Sequence, residues 1–273
     1  MHRAIVLVAL AWLVLLPASA QDPKAVEQQL EAAYRDKVLT IRGFYGGSWL
    51  RYDADGNPLD GGKPGPWTLT GKIEVKDIKL TEEKCEILGT RLWLAYDRNK
   101  KEFEHLRTKD KVRIEVRLGK DNANEVAVRR AFDKIFLWGE DQLLNAVPDY
   151  WRSFLVKDEP QPVQPGERVQ FPPGGVGSVY RVGGKVSAPV CISCPAPEYP
   201  TAARAAQVNG LVVLWAIVDE EGRIQSVRIQ VPAGLGFDDA AVATAKKWRF
   251  KPAERAGKPV PVAMAIEMKF NLY

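Results

Sequence analysis

Histidine is scarce in this chain of 273 residues, with two in all, His2 and His105. His2 falls in a segment read below as removed, so His105 stands alone, which argues against a multi-histidine metal site or a histidine-rich catalytic centre. Cysteine is nearly as rare: Cys85, Cys191 and Cys194. The second C-x-x-C pair that would complete a zinc site is missing. Dense Lys/Arg blocks are also lacking. The 39 basic and 34 acidic residues leave a net charge of +5, spread along the chain, whereas nucleic-acid binders concentrate basic charge on one face; no nucleic-acid partner is expected. After the first twenty residues no apolar run is long enough to cross a bilayer. Hydrophobic residues at 46% and charged residues at 27% exclude wholesale disorder and a polytopic membrane protein. No P-loop, nucleophile elbow or metal cluster is found. The reading is of a protein with no catalytic residue, no metal and no cofactor; its enzymatic rival is carboxylate-only chemistry in the first half of the chain.

What is present begins with a targeting pattern. Met1-His2-Arg3 is a positive start, Ala4 to Leu16 is unbroken apolar sequence, and Ala18-Ser19-Ala20 is an A-x-A cleavage site. As a helix the run would span about 20 Å, short of the ~30 Å of bilayer hydrocarbon. Residues 1–20 are therefore expected to be a signal peptide, with the mature protein starting near Gln21 outside the cytoplasm. An uncleaved membrane anchor through residues 4–16 is the alternative. In an oxidising compartment, Cys191 and Cys194, flanked by Pro189, Pro195, Pro197 and Pro200, fit a small structural disulfide better than a redox helix or a zinc site. Cys85 alternates with Ile87 and reads as a buried free thiol.

The fold class is α+β. Residues 23–36 form a helix with Val26, Leu30 and Tyr34 at four-residue spacing, opening a β-rich domain over 21–156. Strands are expected near Val38–Ile41 and Trp49–Tyr52. A run through Trp67, Leu69, Ile73 and Val75 changes parity before Ile78 and Leu80, which implies a bulge. Further strands are expected at Cys85–Leu88, Arg91–Tyr96, Glu102–Arg107 and Val112–Leu118. Asn124 caps a helix with Val128, Ala131, Phe132 and Ile135 on one face, and an amphipathic piece at 148–155 closes the region. Together these predict an antiparallel, barrel-like or curved sheet with flanking helices. Residues 157–187, rich in Pro and Gly, read as an unburied linker.

Residues 188–273 show more definite chemistry. Tyr199-Pro200 precedes a short helix, Gly210 leads into the apolar strand Leu211–Val218, and Asp219-Glu-Glu-Gly222 makes a hairpin. Asp238 reads as an N-cap, with Phe237, Ala241, Ala245 and Trp248 along one stripe. Pro252 prevents further helix, and Met264, Ile266, Met268, Phe270 and Leu272 alternate with exposed residues. The expected result is a three-stranded sheet packed on one long helix.

Glu198-Tyr199-Pro200 with Ala203-Arg204, Gly210, Asp219 to Ile224, Asp238-Asp-Ala-Ala241, Lys247-Trp248-Arg-Phe250-Lys-Pro252 and Gly257-Lys-Pro259 occur in linked register. This stretch resembles the C-terminal domain of the TonB family. The resemblance implies that Tyr199, Pro200, Gly210, Gly222, Asp238, Trp248, Phe250 and Pro252 define the fold. It also implies capture of the TonB box of outer-membrane transporters by strand addition to the last strand, through the edge carrying Ala263, Ala265, Glu267, Lys269, Asn271 and Tyr273. A second copy of the chain is the other partner considered. Two departures weaken the energy-transducing half of that role: the cleavable N-terminal run, and a spacer that even as polyproline II reaches only about 95 Å. The alternative function is an envelope scaffold that uses the same module on another partner.

Overall fold

The computed structural model describes residues 22–60, 62–119, 123–157, 168–170 and 178–272. The expected signal segment, the cut at Gln21, Tyr273 and most of the 157–187 stretch lie outside them. No helix among the described residues is long and apolar enough to cross a membrane.

The first unit starts with α1 (Pro23–Tyr34), whose Asp22 carboxylate accepts the Lys24 N–H at 3.0 Å while Pro23 takes the first turn. Then follow β1 (Val38–Ile41), β2 (Trp49–Tyr52), α2 (Trp67–Thr70), β3 (Lys72–Leu80), β4 (Lys84–Asp97), β5 (Glu102–Arg117), α3 (Glu125–Ile135), β6 (Phe136–Leu137), α4 (Glu140–Ala146) and α5 (Asp149–Leu155). The sheet order is β2-β5-β4-β3-β1-β6. Val26 and Leu30 of α1 and Val128, Ala131, Phe132 and Ile135 of α3 bury against its inward residues.

Four expectations change here. The sheet is open, ending in β2 and β6, and is not a closed barrel. It is not wholly antiparallel, because β2 lies parallel to β5; the long excursion between them permits that crossover. Trp67 and Leu69 sit in a helical turn, not a strand. Pro66 at its N-cap starts the turn, and the Thr70 hydroxyl, bonded to Phe44 O and Pro66 O, ties it down. The strands expected at 85–88 and 91–96 are one strand, as are those at 102–107 and 112–118. A bulge between Thr90 and Leu92 breaks the first alternation, and the buried Arg91 guanidinium fills that gap by donating to the carbonyls of Thr70, Tyr45 and Gly47 at 2.6, 2.7 and 2.9 Å. The bulge expected before Ile78 is present: Val75 pairs with Gly89 and Asp77 with Leu88, leaving Lys76 extra.

The second unit has β7 (Arg168–Gln170), β8 (Ser178–Arg181), β9 (Val190–Ser193), α6 (Thr201–Ala205), β10 (Gly210–Val218), β11 (Ile224–Val231), α7 (Phe237–Ala245), β12 (Arg249–Lys251), β13 (Glu254–Arg255), β14 (Lys258–Pro259) and β15 (Val262–Phe270). The main sheet has five strands, not three, in the order β11-β10-β15-β8-β7. The two additional strands come from the stretch expected to be unburied linker, where Val179, Tyr180 and Val186 are all buried. Cys191 and Cys194 form a disulfide with Cα atoms 6.1 Å apart, and Cys85 is a buried free thiol whose pKa burial pushes up to about 12.

The two units share one hydrophobic core. Trp67, Leu94 and Trp151 of the first lie in the same cluster as Leu214, Ile229 and Phe237 of the second, and α5 packs on β11. The backbone joins them as well: Tyr96 N–H donates to Ala233 O at 3.0 Å and Leu235 N–H to Leu94 O at 2.8 Å. Gly234 permits this approach, since a Cβ there would lie 2.2 Å from Leu94 O and its φ is +78°.

Candidate functional site

The alternation at the C-terminus places β15 as expected, antiparallel to β10 from Gly210↔Phe270 to Val218↔Val262 without a slip. Ile266, Met268 and Phe270 point into the core beside α7. Ala265, Glu267, Lys269 and Asn271 are exposed. Ala263 differs: it is 1% exposed, covered by Val179 with Ile217 beside it and Trp215 packed against the cluster. It is sealed because β8 lies along β15 in parallel, pairing Tyr180 with Val262 and Arg181 with Ala263.

That pairing also reveals which way the main chain faces. Tyr180 N–H donates to Pro261 O at 2.9 Å, so Pro261 directs its carbonyl away from β10. With the two-residue period of a strand, the N–H and C=O groups of Ala263, Ala265, Glu267 and Lys269 face the same outer side. β8 uses the first of these positions. Beyond Ala263, no strand among the described residues pairs with this edge. The edge ends where Leu272 N–H turns back to Asn209 Oδ1 at 2.8 Å.

The residues that the resemblance implies define the fold make close contacts in this unit, some of them far from the edge. The Tyr199 hydroxyl donates to Val208 O, and its ring meets Phe237 and Phe270 edge-on at 5.5 and 6.2 Å. Pro200 occupies the N-cap of α6. Gly210 lies against Phe237, whose ring a Cβ would meet at 2.6 Å. Gly222 has φ +77° and sits under Phe250 O, 1.7 Å from where a Cβ would fall; Phe250 N–H returns a bond to Gly222 O at 2.8 Å. The Trp248 indole N–H donates to Pro195 O at 2.9 Å, and Pro252 follows β12, half-buried. Asp238 is not the N-cap; Gly236 is. The Asp238 carboxylate is fully buried one residue into α7 and accepts the Ala233 and Gly234 N–H groups at 2.9 and 2.8 Å. Burial raises its pKa to about 7 against those bonds. Next to it, Asp239 accepts the Tyr150 hydroxyl of α5 at 2.7 Å, and burial raises its pKa too.

Among the described residues no group of three or more His, Cys, Asp or Glu could hold a metal ion. His105 is an exposed residue of β5 opposite Leu94. The residues that sequence reasoning missed at the edge are Val179, Tyr180 and Pro261; the only signal was an apolar pair between glycines.

Residues 195–272 match the family model described as Gram-negative bacterial TonB protein C-terminal. Protein TonB2 of Pseudomonas aeruginosa is 36% identical over 80 residues, which cover 28% of this chain and 30% of that protein. The match thus spans under a third of the relative's length. The solution NMR structure of the Pseudomonas aeruginosa TonB CTD aligns at 23% identity over 33% of this chain and 89% of that one, with a TM-score of 0.26. The chain carries a TonB-family C-terminal domain; residues 22–157 lie outside the family-model match.

Proposed function

We propose that this protein captures a short extended segment, the TonB box of outer-membrane transporters, by adding it as a strand to the free edge of β15, and that it does so in the periplasm as part of TonB-dependent transport. The observation that carries the reading is the row of outward main-chain groups at Ala265, Glu267 and Lys269 on a strand whose other side is fully paired with β10. Such a row offers a ladder of backbone bonds with modest demand on the partner's side chains. The exposed Glu267 and Lys269 make indiscriminate edge pairing less favourable. Titration of the full chain with a synthetic TonB-box peptide, read by calorimetry and by amide exchange along β15, tests it. Saturable binding with slowed exchange at Glu267 and Lys269 is expected; no binding refutes it.

The shared core favours a second reading, an envelope scaffold without energy transduction. It holds the docking edge rigidly against the first unit. Retrieval of a partner strand other than a TonB box by the same edge would select that reading.

A further inference from the structure

The open part of the β15 edge has a definite start, and the chain itself makes it. β8 enters the sheet for only two rungs, at Val262 and Ala263, yet it is anchored on both faces. On one face Val179 is buried with Ile217 and Ala263. On the other, Tyr180 is buried with Val186, Val218, Phe250 and Val262. The Arg255 guanidinium donates to the Tyr180 hydroxyl at 3.1 Å and lies 5.0 Å from its ring centroid. At the end of β8, the Arg181 guanidinium rests 5.8 Å from the Trp215 ring centroid. The chain then turns away at Gly183, whose N–H donates to Val186 O at 3.0 Å.

Resting on the strand-capture reading above, we infer that β8 is a register stop for the captured strand. A partner can pair with β15 only from Ala265 onward, because the main-chain groups of Ala263 are already used and β8 occupies the space beside them. The remaining edge, Ala265 to Phe270, is about six residues or ~20 Å long. The partner it fits is a short extended segment whose β8-facing end stops or bends away at that point. A longer continuous strand finds no further rungs there. The stop also selects one register of the two-residue pleat, so the same partner side chains always face Ala265, Glu267 and Lys269.

The test uses the full chain and two synthetic TonB-box peptides. One is about six residues long, and the other is extended at its β8-facing end by two alanines; because the strand's direction is unassigned, the extension is made in turn at each terminus. The reporters are calorimetric affinity and residue-resolved amide exchange. In the natural protein, Ala263 N–H should be protected before any peptide is added, and neither extension should improve affinity. In the double variant Val179→Gly, Tyr180→Pro, which loses both anchors and the donor to Pro261, Ala263 N–H should exchange freely until peptide is added. One of the two extensions should then bind roughly tenfold more tightly than the short peptide, as two more backbone bonds would provide. A gain from an extension in the natural protein means β8 is displaced and overturns the stop, whether or not the double variant folds. An equal affinity for all peptides in a folded double variant overturns it as well. Failure of every peptide to protect Glu267 and Lys269 refutes strand capture itself, an outcome separate from the other two.

Discussion

Proline at Lys269 separates main-chain recognition from side-chain recognition. The parity set by Pro261 O directs Lys269 N–H to the open side of β15, while Met268, one residue earlier, faces its main chain toward β10, where it pairs with Val212. Lys269→Pro therefore removes a donor that the fold does not use. Its ring also occupies the space where a partner carbonyl would approach. Three outward residues offer an N–H and a C=O each, and each net bond contributes roughly 0.5–1.5 kcal/mol. Losing one outright and crowding its neighbour should cost about 1.4 kcal/mol or more, at least a tenfold weaker complex. Lys269→Ala should change affinity by under ~1 kcal/mol, the scale of exposed charged side chains. Met268→Pro is the opposing control: it deletes a ladder bond and a buried side chain, and the domain should fail to fold. Calorimetry with a TonB-box peptide, beside thermal melts, reads all three. A folded Lys269→Pro protein that binds as well as the natural one would show that this edge is not the docking strand.

Trp151 is fully buried between the units, with Trp67 and Phe103 at ring distances of 5.3 and 6.1 Å. Trp151→Ala should cost roughly 3–5 kcal/mol and split a single calorimetric transition into two; an unchanged single melt would deny the shared core. Asp238 has a folded pKa raised by burial to about 7 from 3.8, so the favourable contribution of its protonated form is complete below pH 3.8 and is lost as pH rises through about 7. Melting temperature should therefore fall between about pH 4 and pH 7, and Asp238→Asn should flatten that slope; a flat profile in the natural protein would contradict the assignment. The Cys191–Cys194 loop is tiny and its strand exposed, so Cys191→Ser with Cys194→Ser should cost no more than the low end of the usual ~2–4 kcal/mol and leave the domain folded. Unfolding of that double variant, seen by circular dichroism, would mean the disulfide holds more than its own turn.

The parts of the fold that were legible in the sequence are those with long, clean periodicity. Val112 to Leu118 and Met264 to Phe270 alternate because one face of each packs into a core, and the parity change before Ile78 marked a real bulge at Lys76. The parts that were not legible depend on distant partners. Arg91 looked like an ordinary polar strand residue, yet it is buried because three carbonyls converge on it. The buried side chains described for β8 are Val179 and Tyr180, too few to show a period amid prolines and glycines. Asp238 was read as a cap because local spacing favours that; its real partners lie upstream, in a loop whose path is set by contact with β4. Apolar residues such as Trp67 and Leu94 announce burial, but nothing local says in which core.

The joint between the units bears on how the C-terminal unit can be handled. Cutting the chain at residue 188 would strip α5 and the tip of the β4–β5 hairpin from β11 and from the 233–235 loop. The fragment would present Leu235, Val227 and Ile229 to water as a new sticky patch. It would also lose β8, leaving Ala263 and its neighbours as additional unsatisfied edge. An excised domain of this protein is thus a different molecule at its surface, prone to pair with itself through contacts that the whole chain conceals.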